Sequence, residues 1–188
     1  MARFNNMAKH LPVWYIQSID YALCDKAADE FSRLSKKDAA MGIDGDVQNE
    51  QQRKTKLAFA PLDHWLSETM EKFAHEANEH CKWGYIVNSK ECIQYAEYGE
   101  GQHYDWHVDV FPLSGAETDR KISVVCLLND PSEWEGGDFE IRLYNAYYPK
   151  LKKGDMIAFP SILEHRVTPA KNGTRKSATL WLSGPRFR

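Results

Sequence analysis

A mainly β fold with flanking α-helices, of the sandwich or jelly-roll kind, is predicted by three observations. Helical periodicity is confined to two stretches within the first 83 residues. From residue 85 onward the chain turns to short alternating or apolar segments punctuated by glycine, proline and Asn-Asp. No later stretch has room for another long helix, so the helices must pack outside a body made of strands.

Taken in order, 12-PVWYIQS-18 reads as a strand, and Asp20 as the N-cap of the amphipathic run 21-YALCDKAADEFSRL-34. Segment 36–56 is polar, holds two glycines and reads either as a solvated connection or as a mobile loop that closes as a lid. Apolar 57-LAFAP-61 precedes a second helix over 62–83, for which Asp63 can cap and Trp65, Met70, Phe73 and Ala77 mark one stripe. Strands are predicted over 91–98, 103–110, 120–129, 137–144, 155–160, 163–169 and 174–183. Turns are predicted at 99–101, 130–137, 152–155 and 170-AKNG-173. The expected organisation is one domain over 1–188, with helical support over about 1–85 and a β core over about 86–185.

Composition narrows the function. With 43% hydrophobic and 27% charged residues the chain is of the soluble globular class, and no apolar run approaches the ~20 residues of a membrane span. The N-terminus lacks an uninterrupted apolar h-region, so a cytoplasmic location is expected. Cys24, Cys81, Cys92 and Cys126 are scattered without a CxxC, which predicts buried reduced thiols. A net charge of −3 gives no general attraction to nucleic acid, which makes it an unfavoured partner.

One apparent motif is a decoy. In 75-HEANEH-80 the histidines are five apart, about 500° around a helix, so they project roughly 140° from each other and cannot share a zincin-type metal. No phosphate-binding glycine loop and no GxSxG elbow is present.

The stretch 103-HYDWHVD-109 carries His-x-Asp twice. Residues i and i+2 of a strand share a face, so His103, Asp105, His107 and Asp109 would all line one side, yet only one pair can serve one ion. A third ligand is needed, and His165 is the one other histidine in a predicted strand of the β half. Two imidazoles and a carboxylate form the facial triad that suits non-haem Fe(II) and leaves coordination positions open. Arg175 heads an alternating strand on which Arg175, Ser177, Thr179, Trp181 and Ser183 share a face. An inward arginine there requires an anion, which a dicarboxylate ligand would supply.

At these residues the chain resembles the Fe(II)- and 2-oxoglutarate-dependent dioxygenases of the prolyl 4-hydroxylase-like branch. The resemblance rests on 94-QYAEYGEGQHYDWHVD-109, 120-RKISVVCLLND-130 with 135-EGGDFEI-141, 153-KGDMIAFPS-161 and 164-EHRVTPAKNGTRKSATLW-181, in family order over roughly residues 90 to 185. It implies a double-stranded β-helix, the cupin-like jelly roll, and selects His107 and Asp109 from the doubled pair, with His165 as third ligand. It implies that Arg175 binds the distal carboxylate of 2-oxoglutarate. Many relatives place a tyrosine hydroxyl on that carboxylate from the strand matching 121–129, where this chain has Leu127, so Ser177 is the expected replacement. Tyr98, Thr179 and Trp181 are the further cosubstrate-pocket candidates; Trp106 is read as core.

The implied cofactors are Fe(II), 2-oxoglutarate and O2, with ascorbate as an auxiliary reductant. The implied reaction releases succinate and CO2 and hydroxylates an unactivated C–H, here procollagen-proline 4-dioxygenase-like action on a proline-containing peptide or protein. A second reading keeps the cofactors and changes the substrate to a free amino acid or other small molecule. A third, from another class, is a non-catalytic cupin-like metal- or ligand-binding protein, against which Arg175 counts. The nucleic-acid-demethylating branch usually carries a second arginine soon after the first, whereas the next one here is Arg186.

Overall fold

The structure is a computed structural model, and it describes residues 3–4, 12–39, 49–110 and 116–187. Along the chain run β1 (Arg3–Phe4), β2 (Tyr15–Ser18), α1 (Tyr21–Ser32), β3 (Lys37–Asp38), β4 (Arg53–Lys54), β5 (Lys56–Phe59), α2 (Trp65–His80), β6 (Ser89–Lys90), β7 (Gln94–Tyr98) and β8 (His103–His107). There follow β9 (Thr118–Leu127), a 3-10 turn (Pro131–Glu133), β10 (Trp134–Gly136), β11 (Phe139–Arg142), β12 (Ala146–Tyr147), β13 (Asp155–Pro160), β14 (Glu164–Val167), β15 (Ala170–Gly173) and β16 (Arg175–Pro185).

Among the described residues a nine-stranded sheet has the order β1-β2-β13-β9-β16-β7-β5-β3, with β6 also on β16. A five-stranded sheet has the order β12-β11-β14-β8-β4, and β10 pairs with β15. All these pairings are antiparallel. The predicted mainly β jelly roll with flanking helices is the fold observed.

Strand alternation sorts the side chains of the large sheet into two cores. On β9 and β16, Ile122, Val124, Cys126, Ala178, Leu180 and Leu182 join one cluster with Phe31 of α1 and Leu66, Met70, Phe73 and Ala77 of α2. The opposite face joins Ala96, Val125, Ile157 and Phe159 to Phe139, Ile141 and Val167 of the smaller sheet. The helices therefore back the large sheet, and the other face is left to enclose a site with the small one.

Helix α1 starts as expected: the Asp20 carboxylate accepts from the Ala22 N–H at 2.7 Å, and Cys24, Ala27 and Phe31 are its buried stripe. Helix α2 is shorter than the predicted 62–83, and its cap is His64 rather than Asp63. The His64 Nδ1 accepts from the Leu66 N–H while Nε2 lies 3.0 Å from Glu30 of α1, so a tertiary contact selects the cap. Segment 170-AKNG-173 is a strand on β10 rather than a free turn. Gly173 makes that possible: at φ +69° it passes so close to Glu133 that an added Cβ would lie 2.0 Å from the carbonyl oxygen.

The expected 36–56 loop falls partly on residues 40–48, which lie outside the described residues. Its described ends are not simply solvated: β3 pairs with β5, β4 pairs with β8, and Arg53 and Thr55 are buried. The three cysteines Cys24, Cys81 and Cys126 are buried and free, and Cys92 is free and half-buried. Among the described residues no helix is long and apolar enough to cross a membrane.

Candidate active site

His107 ends β8 and His165 lies directly across from it on β14. Asp109 lies past the strand end, where its N–H donates to the Ser161 carbonyl at 3.0 Å and its carboxylate accepts from the Ser123 hydroxyl at 2.6 Å. The Ser123 and Ser161 hydroxyls are themselves 2.9 Å apart. One candidate ligand atom from each of His107, Asp109 and His165 lies within 4.8 Å of the others. The His165 Nε2 is 3.4 Å and the His107 Nε2 3.7 Å from the Asp109 carboxylate.

Both imidazoles are oriented by the same device. His107 Nδ1 is 2.7 Å from the Asp105 carbonyl, and His165 Nδ1 is 3.0 Å from the Leu163 carbonyl. A carbonyl only accepts, so in each ring Nδ1 carries the proton and Nε2 offers its lone pair toward Asp109. Burial, then the neighbouring His165, hold the His107 pKa down at about 3, against an opposing pull from Asp109. His107 is thus a neutral imidazole at physiological pH, the form that ligates metal. Burial alone would raise the Asp109 carboxyl, but the positive charge that His165 and His107 carry when protonated in acid, together with the hydrogen bond from the Ser123 hydroxyl, outweighs it and pulls the carboxyl below its ordinary range.

The second His-x-Asp pair goes elsewhere. His103 contacts the Gln51 and Gly101 carbonyls, and the exposed Asp105 faces Arg166 at 3.7 Å. The expectation that all four residues share one face is corrected: β8 ends at His107, and its pairing with β14 shifts register between His165 and Val167. Tyr104 takes the place beside His107 instead, its ring stacked at 3.4 Å and 11°. Burial pushes the Tyr104 phenol up to about 12. Trp106 lies within 4.3 Å and 4.7 Å of the guanidinium carbons of Arg142 and Arg166 and lines no part of the triad's cavity.

Strand β16 supplies the neighbouring wall. Arg175, Ser177, Thr179 and Trp181 line the cavity that holds the triad, together with Tyr98 of β7, whereas Ser183 follows a register shift after Leu182 and does not. Arg175 is buried, donates from Nη1 to the Ser177 hydroxyl at 3.0 Å, and leaves Nη2 buried without a partner. Burial pushes its pKa down, with Tyr98 and Asp138 opposing. A buried guanidinium with an unused donor fits a carboxylate ligand. Leu127 lines an adjoining, larger cavity of about 320 Å³, which shares Arg175 and Phe139 with the triad's cavity but which no member of the triad lines.

Residues the sequence reading did not single out are Ser123, which fixes the Asp109 carboxylate, and Arg53 and Gln94, which line the triad's cavity. Ser123 carried a signal: it is a lone hydroxyl in the otherwise apolar run 122-ISVVCLL-128, and a buried hydroxyl needs a partner. Arg53 carried none, because its segment is uniformly polar.

Comparison with known proteins agrees with this geometry. Residues 93–183 match the family model of the 2OG-Fe(II) oxygenase superfamily. Over 90 residues, 45% of this chain, the sequence is 34% identical to a PKHD-type hydroxylase of Janthinobacterium sp. (strain Marseille); the match covers 40% of that relative's length. The crystal structure of a Pseudomonas putida prolyl-4-hydroxylase has a similar fold, with a TM-score of 0.70 at 21% identity over 95% of both chains. A prolyl hydroxylase from Trichoplax adhaerens, in complex with a hypoxia inducible factor peptide fragment, gives 0.65 at 17% identity over 90% of this chain and 83% of that one.

Proposed function

We propose that the protein is a 2-oxoglutarate-dependent dioxygenase, a reading supported by the match of residues 93–183 to the 2OG-Fe(II) oxygenase superfamily model and by the prolyl 4-hydroxylase-like fold. The favoured reaction is hydroxylation of an unactivated C–H of a proline-containing peptide or protein. The observation that carries the reading is the pairing of the His107–Asp109–His165 cluster with a buried Arg175 whose Nη2 lacks a partner in the same cavity.

In this reading His107, Asp109 and His165 hold Fe(II) through two Nε2 atoms and one carboxylate, and Arg175 with Ser177 orients the distal carboxylate of 2-oxoglutarate. Fe(II), 2-oxoglutarate and O2, when bound, supply an oxidative decarboxylation that yields succinate and CO2 and places one oxygen atom on the substrate. The chain's own part is to orient and to exclude water. The Asp105 and Leu163 carbonyls fix the two rings, Ser123 fixes the carboxylate, and Tyr98, Thr179 and Trp181 wall the cavity. The cytoplasmic assignment rests on the free, largely buried cysteines.

The peptide substrate is supported by the Trichoplax enzyme, which is bound to a peptide fragment. The non-catalytic cupin alternative gives no use to the partnerless Arg175 donor. With Fe(II), 2-oxoglutarate, ascorbate as added reductant and air, the expected result is succinate formation and the mass gain of one oxygen atom on a proline-containing peptide. Failure to bind both the metal and 2-oxoglutarate would remove the reading, and oxidation of free amino acids alone would move the substrate to small molecules.

A further inference from the structure

Arg53 is a second buried guanidinium in the same cavity, and nothing in the oxygenase reading uses it. It is only 8% exposed, its Nε is buried without a hydrogen-bond partner, and it lines the cavity with His107, Asp109 and His165. Strand β4, which carries it, is hydrogen-bonded to β8 with Arg53 opposite Tyr104. Its guanidinium carbon lies 4.3 Å from the centre of the Tyr104 ring, and that ring stacks on His107. Among the described residues no carboxylate pairs with it, whereas Arg120, which lies against the outer side of the cavity residue Trp181 at 3.9 Å, is paired with Glu91 at 2.6 Å.

Arg53 lacks a counter-ion. The charges of Fe(II) and Arg175 are balanced by Asp109 and the two carboxylates of 2-oxoglutarate. Arg53 adds one positive charge that no part of this set neutralises, and a buried cation without a counter-ion is unfavourable. The ring of Tyr104 offers a cation–π contact but no negative charge. The partnerless indole N–H of Trp181 gives the same cavity a further unused donor.

We propose that Arg53 is the substrate-anchoring residue and that the group hydroxylated belongs to a molecule bearing a carboxylate near the reacting carbon. This rests on the oxygenase reading and deepens it. A planar guanidinium held against an aromatic ring presents its N–H edge in a fixed direction, which suits a bidentate carboxylate and sets the distance from that carboxylate to the metal-facing C–H. The carboxylate can come from the α-carboxyl of a free amino acid or from an acidic side chain beside the target residue of a peptide. Both present the same chemistry to Arg53.

The test uses the full chain, with Fe(II) for turnover and Mn(II) for binding. Probes are the free amino acids, each beside its carboxamide, and proline-containing peptides with Asp or Glu next to the proline, each beside its Asn or Gln counterpart. The expected result is hydroxylation of a carboxylate member with kcat/KM on the order of tenfold or more above its amide. Arg53→Gln should abolish that preference while the Mn(II)-loaded variant keeps its 2-oxoglutarate affinity, and Arg53→Lys should restore part of it. Free acids and acidic peptides then separate the two sources. An amide that serves as well as its acid, a preference that survives Arg53→Gln, or no oxidation of any acid-bearing probe would overturn the proposal. So would a large loss of 2-oxoglutarate affinity in Arg53→Gln, which would assign the residue to the cosubstrate. Failure of the unaltered chain to bind Mn(II) or 2-oxoglutarate would remove the oxygenase reading itself, and the proposal with it.

Discussion

His103-Tyr104-Asp105 and His107-Val108-Asp109 are the same motif four residues apart, yet they meet opposite fates. His103 and Asp105 spend their polar atoms on backbone carbonyls and on Arg166 near the surface. His107 and Asp109 are directed inward against His165, with Ser123 and the Asp105 carbonyl holding them in place. The difference is not in the ligands but in what surrounds them: a metal-ready pair needs burial, a third ligand and partners on its non-ligating atoms.

The sharpest way to break this comparison is His107→Ala or Asp109→Ala, for which Mn(II) binding by calorimetry should fall below detection, along with 2-oxoglutarate turnover. Ser123→Ala comes next. Removing the hydroxyl that orients the Asp109 carboxylate should weaken metal affinity by about 10–100-fold while the fold persists, as judged by circular dichroism.

A pH effect of intermediate size follows from His107. Its folded pKa, about 3, lies below the ordinary imidazole value of ~6.5, so between these limits the unfolded chain binds a proton that the native one refuses. The metal-free protein should therefore lose thermal stability as pH falls from 6.5 toward 3. Asp109, also held down, acts in the same direction: its contribution is present above the ordinary carboxylate range and is lost as pH falls through the folded value. The slope of Tm against pH should be shallower in His107→Gln. The smallest effect is expected for His103→Ala, which should retain the metal site and change stability by less than about 0.5 kcal/mol, as most surface substitutions do. Loss of metal binding in that variant, and retention in His107→Ala, would reverse the comparison.

Much of this is legible in the sequence. The two amphipathic helices, the strand-rich remainder and the inward face of Arg175, Ser177, Thr179 and Trp181 all follow from periodicities of 3.6 and 2, which local sterics impose on any chain. Strand β13 was placed to the residue over 155–160 because its apolar run is bounded by a Lys-Gly turn and by Pro160. Less legible were features decided by distant partners. The cap of α2 passed from Asp63 to His64 because Glu30 of α1 holds the ring. The 170–173 segment became a strand because β10 came alongside it.

Side-chain type and backbone period are local properties, so the set of chemically capable residues and the faces of most strands are written in the chain itself. Strand period alone left the two His-x-Asp pairs equal; the family resemblance selected His107 and Asp109, and the physical reason that this pair faces inward lies in the tertiary structure. The register shift between β8 and β14 interrupts strict alternation, so Tyr104 rather than Asp105 stands beside His107. Arg53 shows the same limit more plainly. It sits 54 residues before His107 in a polar stretch with no motif, and only the pairing of β4 with β8 carries its guanidinium into the cavity. Long-range strand pairing sets such positions, because the burial and the missing counter-ion that make Arg53 informative exist only once the sheets have closed around it.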